Sequence, residues 1–138
     1  MKIENNRICI IGHSGQLGSE IQSILSNKTK NILLINSKNS KNYSFNILKS
    51  KISKFSPSII INCSAFTDVN QAFEKVKICM HLNFSLVNRL IEISNLTKSI
   101  LIHFSSDFVF DGKKRTYDEN LSLIHISEPT RQAEIAYA

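Results

Sequence analysis

Three of the four glycines in this 138-residue chain fall inside one short stretch, Gly12-His13-Ser14-Gly15-Gln16-Leu17-Gly18. The stretch follows the apolar run Arg7 to Ile11. It opens a segment, Gln16 to Leu25, in which Leu17, Ile21, Ile24 and Leu25 recur at helical spacing. Strand, tight turn and helix in that order give a GxxGxxG spacing its chemical meaning. The first glycine permits the sharp turn, the second lets a pyrophosphate approach the backbone, and the third lets the helix pack closely on the sheet. The helix N-terminus then offers N–H groups to the anion. Dinucleotide binding is therefore expected at Gly12, Ser14, Gly15, Gln16, Leu17 and Gly18. The alternative, an ordinary glycine-rich turn, is disfavoured by the concentration of glycine here. His13 is read as a loop residue.

Other residues could add chemistry. At the end of the apolar run Ile32 to Ile35, where dinucleotide folds commonly place an acid for the ribose 2′-hydroxyl, stand Asn36 and Ser37, followed by Lys38 and Lys41. With no carboxylate to repel a 2′-phosphate, NADPH is favoured over NADH; lysines that are merely solvated loop charges are the alternative. Asn83 falls on a stripe formed by Val76, Cys79, Met80, Leu86, Val87, Leu90 and Ile93. An amide there must find buried partners or cost about 1–3 kcal/mol, as a satisfied core residue or as part of a site. Ser106 and Asp107 offer a hydroxyl beside a carboxylate, although on spacing alone a serine pair closing a strand end is the better reading.

These residues need a scaffold that gathers them. Apolar runs at 7–11, 32–35, 58–61 and 100–104 alternate with helical patterns at 16–25, at 47–55 through Leu48, Ile52 and Phe55, and at 76–96. Continuously apolar strands alternating with helices predict a parallel sheet covered on both faces, a Rossmann-type doubly wound α/β fold. Ligands of such sheets bind beyond the carboxyl ends of the strands. The polar clusters Gly12 to Gly18, Asn62 to Asn70 and Ser105 to Gly112 all follow predicted strands, so one sheet edge should collect them.

Composition narrows the class. A hydrophobic content of 42% in 138 residues suits one globular domain. The net charge of +6 is scattered through Lys/Asn/Ser-rich loops and forms no basic face, so nucleic acid is not the expected partner. Cys9, Cys63 and Cys79 are far apart and form no CxxC or Cys/His cluster, which argues against a metal site or a disulfide framework; nothing supports Mg2+. No apolar run is long enough to span a bilayer, and Met1 to Arg7 is polar where a secretory signal is apolar, so a cytoplasmic protein without a membrane partner is expected.

The segments Asn62-Cys63-Ser64-Ala65-Phe66-Thr67-Asp68-Val69-Asn70 and Phe104-Ser105-Ser106-Asp107-Phe108-Val109-Phe110-Asp111-Gly112, with the glycine turn, resemble the dTDP-4-dehydrorhamnose reductase family of extended short-chain dehydrogenases. Members carry Gly-x-x-Gly-Gln-Leu-Gly, Asn-Ala-Ala-Ala-Tyr-Thr-x-Val-Asp and Ser-Thr-Asp-Tyr-Val-Phe-Asp-Gly; the likeness runs from about Arg7 to Asn120. It implies that Ser14, Gly15 and Gln16 contact the pyrophosphate of NADPH or NADH and that Ser64, Ala65, Phe66 and Phe104 line the cofactor. It implies that Asn46 stands where an Asp touches the adenine, with Asn36 at the ribose. Ser106 becomes the hydroxyl of the catalytic Ser/Thr-Tyr-Lys set, Asp107 lies beside it at the sugar, and Asn83 is the helix asparagine that helps to position the lysine. Asn70 and Phe73 depart from the family's Asp and Glu.

The implied activity is NAD(P)H-dependent reduction of a 4-keto-6-deoxy nucleotide sugar in dTDP-rhamnose biosynthesis, and the resemblance allows a homodimer of the full-length protein. A nucleotide-sugar epimerase or dehydratase, or a non-catalytic NAD(P)-binding regulatory subunit, are the alternatives. No Tyr is followed four positions later by Lys anywhere in the chain, so this polypeptide alone is expected to be inactive. Residues 121–138 contain neither Lys nor Asn, and Leu121 to Arg131 resembles the translation of a sequencing-library adaptor. The expected division is a nucleotide-binding domain over 1–120 and a non-native tail over 121–138.

Overall fold

The computed structural model describes residues 5–36 and 44–105. Ser37, Lys38, Lys41, Ser106, Asp107 and residues 121–138 lie outside the described residues. The elements in chain order are β1 (Ile8–Ile11), α1 (Gln16–Ser26), β2 (Ile32–Ile35), α2 (Phe45–Phe55), β3 (Ile59–Asn62), α3 (Val69–Ala72), α4 (Val76–Met80), a π-helical turn (His81–Ser85), α5 (Leu86–Thr97) and β4 (Ile100–His103).

The strands form one parallel sheet in the order β2-β1-β3-β4, with Ile8 level with Ile32 and Ile59, and Ile59 level with Ile100. Alternation along the strands divides the core. Cys9, Ile11, Ile35 and Ile60 face α2 and α5, burying Leu48, Ile52, Leu86, Leu90 and Ile93. Ile8, Ile10, Ile59 and Ile61 face the other way and pack with Ile21 and Leu25 of α1. Helices on both faces explain why β1 and β3 are buried along their whole length. The parallel α/β architecture is as the sequence predicts. The outer strand β4 alternates instead: Leu101 packs against the α5 side, while Ile100 and Ile102 are 56% and 41% exposed on the face that carries α1.

The chain departs from one continuous helix over 76–96. A π-helical turn separates α4 from α5, and the N–H of Leu86 reaches the carbonyl of His81, one residue beyond the α-helical partner. The extra residue offsets the apolar stripes on either side. Cys79, Leu86, Leu90 and Ile93 are buried, but Val76, expected on the same stripe, is 53% exposed. The short helix α3, within a segment read as a polar cluster, starts where the Asp68 carboxylate accepts the N–H of Gln71.

The strand order sets the position of the site. The chain leaves β1 for β2 on one side and later returns to place β3 on the other, so β1 and β3 are neighbours whose following segments diverge. A parallel sheet opens its ligand crevice at such a reversal, outside the carboxyl ends.

Candidate functional site

The glycine turn lies at that reversal. Gly12 follows β1 with φ at +79°, a left-handed conformation that favours glycine. It also lies against the segment after β3: a Cβ on Gly12 would stand 2.5 Å from Ser64 Oγ and 2.8 Å from the Ser64 nitrogen. Gly18 has a different reason to lack a side chain. It is buried in the first turns of α1, and a Cβ there would come within 2.2 Å of the Gly12 carbonyl oxygen. Helix α1 therefore crosses the turn at a separation that only glycine permits.

Gly15 is the open position of the three. Its missing Cβ would meet only the Gly12 oxygen, at an ordinary 3.5 Å, so the space above its backbone is clear. Gly15 is the N-cap of α1; no side chain caps the helix, and its first turn carries no acidic residue. The N-terminal N–H groups of a helix lack intrahelical partners and attract anions. Glycine here leaves a cradle that a side chain would fill, beside donors suited to phosphate oxygens. Gln16 and Leu17, exposed, form the rim.

The surrounding residues are tied to this turn. Ser14 Oγ donates to Asn36 Oδ1 at 3.1 Å, linking the turn to the residue that follows β2. His13 Nδ1 pairs with Gln22 Oε1 of α1 at 3.2 Å, which fixes its ring to the helix. Asn46 lies exposed in the first turn of α2.

The segment after β3 is held from two directions. Asn62, 1% exposed at the strand end, accepts the Ser64 N–H on Oδ1 at 3.1 Å, and its Nδ2 meets His103 Nδ1 at the end of β4, also at 3.1 Å. From the helical side, Asn83 in the π turn accepts the Phe66 N–H at 2.7 Å and donates to the Phe66 carbonyl at 3.1 Å. A further contact runs from its Nδ2 to Cys79 Sγ at 3.7 Å. Ser64 is thus held against Gly12, and the loop is fixed on either side of Ala65 through the Ser64 and Phe66 backbones. Phe104, 44% exposed, follows β4 at the same edge. Asn62 and His103 were not singled out in the sequence, although a polar residue closing the apolar run Ile59 to Ile61 is the same signal that marks Asn83.

Little here is charged. Burial pushes the Cys9 thiol, in the core between β1 and helices α2 and α5, up to about 12 and raises that of Cys63, so neither is primed for nucleophilic chemistry. His81 in the π turn is held below the ordinary imidazole range by burial and, secondarily, by the Arg89 guanidinium. Among the described residues no group of His, Cys, Asp or Glu could hold a metal ion, and no helix is long and apolar enough to cross a membrane. What the arrangement offers is an anion cradle of backbone donors beside a fixed, weakly polar strand-end loop.

Comparison with known proteins gives this geometry its relatives. Residues 6–124 match the profile of the RmlD substrate binding domain. The dTDP-4-dehydrorhamnose reductase of Aggregatibacter actinomycetemcomitans is 32% identical over 120 residues, covering 86% of this chain and 41% of that protein. Among solved structures, a dTDP-4-dehydrorhamnose reductase from Bacillus anthracis in complex with NADP superimposes with a TM-score of 0.71 at 27% identity, over 80% of this chain and 40% of that one. A hypothetical dTDP-4-dehydrorhamnose reductase from Sulfolobus tokodaii gives a TM-score of 0.73 at 30% identity, over 83% of this chain and 44% of that one. The chain therefore spans about two-fifths of the length of the relatives it matches.

Proposed function

The chain belongs to the RmlD substrate binding domain family, and from that premise we propose that it supplies the NADPH-binding part of an oxidoreductase that reduces a 4-keto-6-deoxy nucleotide sugar of the dTDP-4-dehydrorhamnose type. The observation that carries this reading is the open face of Gly15 at the N-terminus of α1, pressed by Gly12 and Gly18 against the ends of β1 and β3. When bound, NADPH supplies the hydride for the reduction.

The chain's own residues bind and orient. Ser14, Gly15, Gln16 and Leu17 receive the pyrophosphate at the helix N-terminus. Asn36, neutral and held by Ser14, takes the ribose end without the carboxylate that would oppose a 2′-phosphate. Asn46 faces the adenine. Ser64, Ala65, Phe66 and Phe104 border the cofactor toward the nicotinamide. Asn83 is a positioning residue, its amide committed to Phe66. Ser106 is assigned the hydroxyl that holds the reacting oxygen, with Asp107 beside it at the sugar; both rest on the sequence match alone. A tyrosine paired with a lysine, absent from these 138 residues, is the expected proton donor, so this polypeptide binds cofactor without turning over.

The direct test is titration of the purified chain with NADPH and NADH, followed by nicotinamide fluorescence. Saturable binding with NADPH the tighter ligand is expected. An absence of binding to both removes the proposed function.

A further inference from the structure

The Asn62 carboxamide is placed between two partners whose chemistry leaves it one orientation. The Ser64 backbone N–H is a donor and can face only Oδ1, at 3.1 Å. Turning the amide over would set Nδ2 against that N–H, donor against donor, at a residue 1% exposed. With Oδ1 committed, Nδ2 points at His103 Nδ1, 3.1 Å away, and an N–H donor requires a lone pair there. His103 must therefore be neutral, with its proton on Nε2.

We propose that His103 is a positioning residue for the loop after β3: as the Nε2–H tautomer it fixes the Asn62 amide, which fixes the Ser64 N–H and hence the loop packed against Gly12. The contact crosses the sheet at its carboxyl edge, where Asn62 and His103 stand level in the β3–β4 register. It ties the loop beside the glycine turn to the strand that leads toward Ser106. Its consequence for the cofactor rests on the function proposed above: Ser64 lies so close to Gly12 that a shift of the loop moves the wall of the NADPH site.

The lock can be read in the chain without ligand. Imidazole 15N shifts of His103 should show a protonated Nε2 and an unprotonated Nδ1. His103→Phe removes the acceptor and should speed Ser64 amide exchange about tenfold relative to Ile10 in the central strand. His103→Asn returns an oxygen on Cγ, where Nδ1 was, and should keep Ser64 exchange within about threefold of the parent chain. NADPH affinity should follow the same order, weakened by His103→Phe and retained by His103→Asn. A proton on Nδ1 in the parent chain, unchanged Ser64 exchange in His103→Phe, or exchange in His103→Asn as fast as in His103→Phe would each overturn the proposal. If either variant fails to fold, the parent tautomer decides. The expected tautomer and exchange order in a chain that takes up no NADPH support the lock and refute the cofactor reading.

Discussion

The carboxamide of Asn83 engages Phe66 at both of its backbone groups, accepting the N–H on Oδ1 at 2.7 Å and donating from Nδ2 to the carbonyl at 3.1 Å. A side chain thereby completes, for one residue, the pairing a neighbouring strand provides elsewhere. Asn83→Ala leaves both groups unpaired in a partly buried site and should cost about 1–3 kcal/mol of stability, measured by urea unfolding. Asn83→Asp keeps the acceptor and should lose less. Equal midpoints for Asn83→Ala and the parent chain would show that water replaces the amide without cost.

The glycines separate binding from folding. Gly15→Val places a side chain in open space and costs only a helix N-cap preference of about 1 kcal/mol, so the chain should still fold while NADPH binding is abolished. Gly18→Ala places a Cβ against the Gly12 carbonyl, a backbone atom that cannot swing aside, and should destabilise by about 1–3 kcal/mol. If Gly15→Val titrates like the parent chain, the anion does not sit at this turn.

Asn36 gives a charge test of cofactor choice. Asn36→Asp puts a carboxylate at the end of β2, where it should oppose a 2′-phosphate and accept from a ribose hydroxyl. The ratio of NADPH to NADH affinity should fall by about tenfold or more, equivalent to about 1.4 kcal/mol. An unchanged ratio would place the adenosine ribose elsewhere.

Cys9 makes stability fall at high pH. Its thiol rises from 9.0 to about 12 because burial penalises the thiolate. In the unfolded chain it ionises near 9.0, so the folded form holds the extra proton between 9.0 and about 12. The stabilisation is therefore complete below pH 9.0 and is lost above it, by about 1.4 kcal/mol per pH unit. Unfolding free energies of the parent chain and Cys9→Ala, compared from pH 8 to about 10.5, should show the steeper decline in the parent. Parallel slopes would mean that Cys9 meets water in the native state.

Much of the scaffold was legible in the sequence because parallel strands buried on both faces must be continuously apolar, as Cys9 to Ile11 and Ile59 to Ile61 are. The packing roles of Gly12 and Gly18 were also readable, since each follows from where a Cβ cannot go. The partners of Asn83 were not, because periodicity shows that an amide is on an apolar stripe but not which backbone crosses it. The same holds for Asn62 and His103, far apart in sequence and joined only by the β3–β4 register. The exposed side of β4 escaped notice because Ile100 and Ile102 have the composition of buried residues.

The π-helical turn makes segment length matter more than composition. An α-helix advances about 100° per residue, and the extra residue within His81–Ser85 sets the apolar repeat of α4 out of phase with that of α5 by that amount. Deleting one residue there would return the turn to α-helical winding with α4 and α5 keeping their faces, because the widened turn is what absorbs the extra residue. A substitution at Phe84, 49% exposed, alters one surface position. A deletion in the turn instead rewinds residues 81–85 and shifts Asn83 away from Phe66, so this stretch should tolerate changes of residue far better than changes of count.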